Sequence, residues 1–370
     1  MNQLFGGIYK DRKVLVTGHT GFKGSWLCTW LLELGAEVIG YALNPHTTPS
    51  MFECCELKDK MRSVIGDIRD LKSLSDCINA YQPEIIFHLA AQPLVRQSYH
   101  YPKQTYETNV LGTLHVYEAA RQCQSVKAIV CVTTDKCYEN KESIYGYRET
   151  DRLGGYDPYS SSKACVELLS DSYRQSFFNE EGVKVATVRA GNVIGGGDWS
   201  MDRLIPDAIR SLTQHQTIIL RNPLAIRPWQ HVLEPLSGYL YLGYQLLSKK
   251  NTYASSWNFG PYESSNQTVE VVIQEVIKYY KVGKYVIDTD EHLHETQLLK
   301  LDINKAKKYL DWYPVYDYQT AIEKTITWYK KYYMSKENMY NLTKNQIDEY
   351  IHHAQLLNLK WSGGDGHGHG

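Results

Sequence analysis

Tyr159 and Lys163 stand four residues apart in Tyr159-Ser160-Ser161-Ser162-Lys163, a stretch that reads as the start of a helix. That spacing puts both side chains on one helix face. An ammonium near a phenol favours the phenolate and lowers its pKa from about 10. A phenolate can take a hydroxyl proton as a hydride leaves the same carbon. Upstream, a strand ending in Thr133-Thr134 supplies a hydroxyl that can donate to the same substrate oxygen. This completes a Thr134, Tyr159 and Lys163 set. Thr134-Asp135-Lys136 extends the chemistry. Alcohol oxidation needs only the tyrosine and the lysine, whereas an adjacent acid and a second base would also allow proton removal and loss of water. The plainer reading of Asp135 is a turn cap at a strand–loop junction.

Hydride chemistry needs an acceptor, and Gly18-His19-Thr20-Gly21-Phe22-Lys23-Gly24 can hold one. The loop follows an apolar strand and opens a helix. Gly18 permits the tight turn, Gly21 lets the backbone approach a pyrophosphate, and Gly24 lets the helix pack on the sheet, with the helix N-terminus facing the phosphates. Thr20, Phe22 and Lys23 belong to the same cradle. The next strand ends in Tyr41-Ala42-Leu43-Asn44, with no acid for a ribose and no arginine for a 2′-phosphate, so this position leaves NAD and NADP open. Asp67 and Ile68, after the third strand, suit an adenine contact. Ala90, Ala91 and Gln92, after the fourth, suit the middle of the dinucleotide.

The elements that position these residues alternate. Strands are expected over 13–17, 37–42, 63–65, 85–88, 128–133 and 184–189, with helices over 22–34, 71–81, 105–123 and 159–178 between them. Such alternation implies right-handed crossovers and a parallel sheet covered on both faces. The fold class expected is α/β, a doubly wound Rossmann sheet with a smaller mixed C-terminal lobe. Residues 1–189 form the dinucleotide domain, with returns near 217–260. Residues 190–216 and 261–345 form the substrate lobe, and 346–370 form an extension ending in a disordered Gly/His tail. In the second half a strand is expected over 217–220 and helices over 233–248, 268–280 and 318–333.

Composition narrows the function class. The chain has 370 residues, 43% of them apolar and 22% charged, with a formal net charge of −1. No global field draws in nucleic acid or an acidic membrane. Eight cysteines are scattered without a C-x-x-C pair and read as reduced, mostly buried side chains. No apolar run approaches the roughly 20 residues of a membrane helix, and the N-terminus lacks a signal-peptide pattern. A cytoplasmic protein with no metal site is expected.

Longer stretches carry a resemblance. They are residues 16–24, His88-Leu89-Ala90-Ala91-Gln92-Pro93-Leu94-Val95, Thr133-Thr134-Asp135-Lys136-Cys137-Tyr138, residues 189–199 and Arg227-Pro228-Trp229-Gln230-His231-Val232. From about residue 10 to about 335 the chain resembles the extended short-chain dehydrogenases/reductases that act on nucleotide sugars. Asp135-Lys136, where dehydratases for other bases commonly carry Asp-Glu, resembles the group acting on CDP-glucose. The resemblance implies NAD as cofactor, with Asn109 among its contacts, and a 4,6-dehydration. Carbon 4 is oxidised, water is lost across carbons 5 and 6, and the hydride returns to carbon 6. Asp135 becomes the acid for the leaving hydroxyl. Lys136 either removes the carbon-5 proton, if burial and nearby positive charge depress its pKa, or stays charged and stabilises the enolate. Arg189, Asn192, Arg203 and Arg227 fall where the family binds the substrate diphosphate. The plainer reading of Arg189 is half of a structural ion pair, and that of Arg203 a solvated surface residue. A symmetric homodimer through the helices near 105–123 and 159–178 is also implied. An epimerase, or a dehydratase of another nucleotide sugar, is the alternative.

Overall fold

The computed structural model describes residues 3–248, 251–288, 298–335 and 337–363. Seven strands form one parallel sheet: β1 (Lys13–Thr17), β2 (Glu37–Ala42), β3 (Arg62–Ile65), β4 (Ile85–His88), β5 (Ala128–Val132), β6 (Lys184–Arg189) and β7 (Ser256–Asn258). Their order is β7-β6-β5-β4-β1-β2-β3. The direction of winding reverses between β1 and β4, and ligands of such sheets bind at the crevice outside that point. The α/β class expected from the alternation is the one found.

The central strands β1, β4 and β5 are largely apolar and buried because both faces are covered. Val14 and Val16 of β1 point into one core while Leu15 points into the other. The second core is closed by helices α2 (Leu71–Tyr81), α3 (Gly112–Arg121) and α4 (Pro158–Tyr173), which contribute Leu74, Ile78, Val116 and Val166. The first is closed by α1 (Phe22–Glu33), with Trp26 and Trp30, and by α6 (Leu233–Leu247), with Leu236 and Leu240. Between β6 and β7 lies α5 (Leu204–Thr213). The smaller lobe adds α7 (Val269–Tyr280) and short two-stranded pairs, such as Ile226–Pro228 with Asn266–Thr268. α8 (Tyr318–Met334) follows.

Three expectations need correction. The helix expected over 105–123 is interrupted by a π-turn at Glu107–Leu111, which draws the Asn109 side chain inward. Such single-turn widenings often mark functional regions. The helix expected over 159–178 likewise ends in a π-turn, Arg174–Phe178. The boundary at 346 falls inside α9 (Met339–Leu356), which is no loose extension. α1 is buried on every side from Gly24 to Leu31 and so needs a cover on its outer side. α9 supplies it, with Tyr350 edge-on to Trp30 at 5.9 Å. Beyond it Trp361, 1% exposed, stacks on Phe5 at 5.3 Å. Of the expected tail, residues 364–370 lie outside the described residues.

Candidate active site

A cavity of about 1580 Å³ runs along the carboxyl ends of the strands. At one end is the glycine loop. Gly18 is left-handed (φ 77°), and a Cβ there would meet the Ala90 nitrogen at 2.8 Å. A Cβ on Gly24 would overlap the Gly18 carbonyl, so the first turn of α1 lies hard against the loop. Thr20 donates to the Leu43 carbonyl at 2.8 Å and ties the loop to the end of β2. Gly18, Thr20, Gly21, Phe22, Lys23 and Gly24 line the cavity, as do Asp67, Ile68, Ala90, Ala91 and Gln92. Arg69 grips Asp67 at 2.6 Å and holds its carboxyl below the usual range.

The other end is built on β5, β6 and α4. Asp157 caps α4 by accepting from the Ser160 nitrogen at 2.9 Å, and Pro158 occupies the first turn. The helix therefore begins one residue before Tyr159, and its axis carries Lys163 inward from there. Tyr159, 8% exposed, lines the cavity with Thr134, Asp135, Lys136 and Lys163. Thr134 donates to Asp135 Oδ1 at 3.0 Å and stands close enough to the Tyr159 phenol to lower its pKa. The second carboxyl oxygen of Asp135 is buried without a partner among the described residues. A Cβ on Gly191 would overlap that carboxyl, so glycine is needed there.

The expected effect of Lys163 on Tyr159 is not what the geometry gives. Lys163 Nζ donates to the Val132 carbonyl at 3.0 Å. Burial dominates at Tyr159 and pushes the phenol up to about 12, while the Thr134 hydroxyl pulls it back. Burial also lowers Lys163. Lys23 falls to about 8, through burial and then the nearby charges of Arg203 and Lys163. Lys136 is exposed and lines the cavity.

Among the expected diphosphate ligands, Asn192, Arg203 and Arg227 line the cavity. Asn192 is left-handed (φ 47°), Arg203 donates to Asp198 at 2.8 Å, and Arg227 donates to the Ile226 carbonyl at 3.0 Å. Two expected site residues do not line it. Arg189 is 2% exposed and gripped by Glu167 through Nε (2.9 Å) and Nη2 (2.8 Å), with Nη1 donating to the Tyr138 hydroxyl at 2.7 Å. Its donors are spent on the fold, so the ion-pair reading of Arg189 holds and the diphosphate reading does not. Asn109 is 1% exposed, accepts from the Gln92 nitrogen at 2.8 Å and donates to the Gln92 carbonyl (3.1 Å) and Ser162 (2.8 Å). It shapes the Gln92 loop from behind. Sequence reasoning missed Glu167, Gly191 and Asp198 as supports. Only Gly191 and Asp198 carry a signal, since they stand in the 189–199 stretch.

A family model described as GDP-mannose 4,6 dehydratase matches residues 15–325. The chain belongs to this family. The CDP-glucose 4,6-dehydratase of Salmonella typhimurium is 48% identical over 349 residues, covering 93% of this chain and 97% of the relative. The CDP-paratose 2-epimerase of Salmonella typhi is 24% identical, covering 85% and 98%. Among solved structures, the dTDP-glucose 4,6-dehydratase of Bacillus anthracis in complex with NAD superposes with a TM-score of 0.72 at 24% identity, covering 86% and 97%. Likeness of that last kind bears on the fold alone, and it agrees with the α/β class found here. Among the described residues no helix is long and apolar enough to cross a membrane, and no cluster of metal-ligating side chains is present.

Proposed function

We propose that the chain dehydrates CDP-glucose to CDP-4-dehydro-6-deoxyglucose with NAD held on the glycine loop. The 48% identity over 93% of the chain to a CDP-glucose 4,6-dehydratase carries this reading. NAD suits the residues present, because a loop that excludes any Cβ at Gly18 and Gly24 suits a pyrophosphate lying on backbone at a helix N-terminus. The loop residues from Gly18 to Gly24 would hold the pyrophosphate. Asp67 and Ile68 would hold the adenine end, and Ala90 to Gln92 with Tyr159 and Lys163 the nicotinamide end. NAD bound there supplies a hydride acceptor for carbon 4 and a donor for carbon 6.

Tyr159 receives the 4-hydroxyl proton. Asp135 protonates the departing 6-hydroxyl. Lys136 lines the cavity and keeps the two roles weighed for it, taking the carbon-5 proton or stabilising the enolate formed as that proton leaves. Arg203, Arg227 and Asn192 take the diphosphate, for which arginine forks are suited. The domain division puts the sugar between the Rossmann sheet and the lobe of α5, α7 and α8. A cytoplasmic homodimer completes the reading. Leu111 and Leu168, 46% and 61% exposed on neighbouring helical segments, support pairing there. Light scattering should give twice the monomer mass. Incubation with CDP-glucose should give the base-developed absorbance of a 4-keto-6-deoxy sugar; recovery of unchanged or merely isomerised sugar would refute the function.

A further inference from the structure

We infer that Thr134 is a proton bridge between Tyr159 and Asp135, so that the proton released at the substrate's 4-hydroxyl becomes the proton spent on the departing 6-hydroxyl. The inference rests on the dehydratase reading. Three observations carry it. The Thr134 hydroxyl donates to Asp135 Oδ1 at 3.0 Å and stands close enough to the Tyr159 phenol to lower its pKa. All three side chains are nearly closed to solvent, at 6%, 2% and 8% exposure. The other Asp135 oxygen has no protein partner among the described residues, although the carboxyl lines the cavity.

The proton balance of a 4,6-dehydration makes such a bridge useful. The hydride that leaves carbon 4 returns to carbon 6 and cancels. The carbon-5 proton leaves and is replaced at the same carbon, so it cancels too. What remains is one proton lost from the 4-hydroxyl and one gained by the 6-hydroxyl as it departs as water. In the bridge, the substrate O–H bond breaks and its proton joins the Tyr159 oxygen. The Tyr159 proton passes to Thr134 Oγ1, and the Thr134 proton to Asp135 Oδ1. Tyr159 and Thr134 end as they began, and Asp135 has become a carboxylic acid. When carbon 6 loses its hydroxyl, Asp135 gives up that proton, water leaves, and the carboxylate is restored. Burial keeps the phenol protonated at neutral pH. A bridge needs no free phenolate, because the carboxylate is the final acceptor. A buried phenol is then no obstacle to the oxidation.

The test uses full-length NAD-loaded enzyme with Thr134→Val and Thr134→Ser, on CDP-glucose and its 6-fluoro analogue, in single turnovers. Wild type should show level rates of carbon-4 oxidation and of elimination between about pH 6.5 and 8.5, and an indicator dye should see no proton released during oxidation. With Thr134→Val the two steps lose their common proton. Both should fall about 10²-fold near pH 7.5, typical of a lost proton-transfer group. Oxidation should then speed up as pH rises, because it needs the phenolate, and release a proton to the dye. Elimination from CDP-glucose should slow as pH rises, because Asp135 must be protonated from solvent. The fluoro analogue, whose leaving group needs less acid help, should escape that second slope. Thr134→Ser should restore the level profiles. Unchanged profile shapes in Thr134→Val, with both steps and both substrates reduced alike and no proton release, overturn the bridge and leave the dehydratase reading standing. A wild type that forms no 4-keto-6-deoxy sugar refutes that reading, and the bridge with it.

Discussion

Arg189 and Arg203 belong to neighbouring parts of the molecule and differ in what their donors meet. Arg189 closes β6 and lies beneath the cavity floor. Glu167 takes two of its nitrogens, the Tyr138 hydroxyl takes the third, and the guanidinium also lies 4.8 Å from the Tyr138 ring centroid. Glu167 is further bound by Thr133 and Thr187, so nothing in this knot is left to bind a ligand. Arg203 stands at the cavity wall, 35% exposed, with Asp198 as its carboxylate partner. Asp135, across the same cavity, keeps an unpartnered oxygen. Satisfied charge marks where the fold is held, and partly satisfied charge marks where chemistry can enter. Burial alone does not separate the two, since Asp135 and Arg189 are equally buried.

The comparison can be broken first in the knot. Arg189→Met strands the Glu167 carboxylate among groups arranged for a cation. Loss of one partner of a buried pair costs about 3–5 kcal/mol. Chemical denaturation should show that loss. Replacing both partners with apolar residues of similar volume should recover much of it. A stability change below about 1 kcal/mol in Arg189→Met would mean that the knot is not structural.

Glu234 sharpens the contrast, being a carboxyl as buried as Glu167 but with no cation among its hydrogen-bond partners. It accepts from the Val315 nitrogen at 3.0 Å, the Tyr316 nitrogen at 2.7 Å and the Tyr350 hydroxyl at 2.9 Å, and burial raises it to about 7. Arg189 instead holds Glu167 below the ordinary carboxylate value, against the opposing pull of burial. A raised carboxyl binds its proton more tightly in the folded state. Its stabilisation is therefore full below the unfolded value of 4.5 and is lost as pH rises through about 7. The change amounts to about 3 kcal/mol across that window. Glu234→Gln should remove this slope from the stability–pH curve. A curve that keeps its slope in the variant would show Glu234 to be ionised throughout.

On the cavity side the signature should invert. Tyr159→Phe removes one hydroxyl that the fold does not depend on. Turnover should fall at least ~10²-fold, as for loss of a proton acceptor, while NAD still binds and melting shifts little. Equal losses of activity and stability would place Tyr159 with the knot.

These contrasts also explain what was legible in the sequence. The glycine loop and Thr134, Tyr159 and Lys163 could be read because their roles depend on local spacing, a strand end or a helix turn. The six sheet strands of the first half were legible from apolar runs for the same reason. Arg189 stayed open between ligand and ion pair because its partner Glu167 lies 22 residues away on another element, and no local pattern names that partner. The π-turn at Asn109 escaped because it goes with tertiary bonds to Gln92 and Ser162 that no local pattern shows. The role of α9 escaped because amphipathic spacing does not name the helix it will cover. The raised pKa of Tyr159 escaped because its main cause, burial, is invisible in spacing.

The smallest expected effect separates the two arginines most directly. A diphosphate is gripped by the planar fork of an arginine through paired hydrogen bonds, which a lysine ammonium cannot reproduce. Arg203 has donors beyond the one given to Asp198. Arg203→Lys keeps the charge and can still reach Asp198, so the fold and the reacting groups remain. The loss should be confined to ground-state grip on the diphosphate. KM for the nucleotide sugar should rise about tenfold, or ~1.4 kcal/mol, with kcat nearly unchanged. Free CDP should lose inhibitory strength by a similar factor, since it carries the same diphosphate. Arg189→Lys should do the opposite, lowering stability with KM intact in whatever fraction remains folded. If Arg203→Lys lowers kcat and leaves KM alone, Arg203 acts on the reacting sugar instead. If Arg203→Lys destabilises the fold as Arg189→Lys does, partial satisfaction of a charge does not mark a binding residue in this molecule.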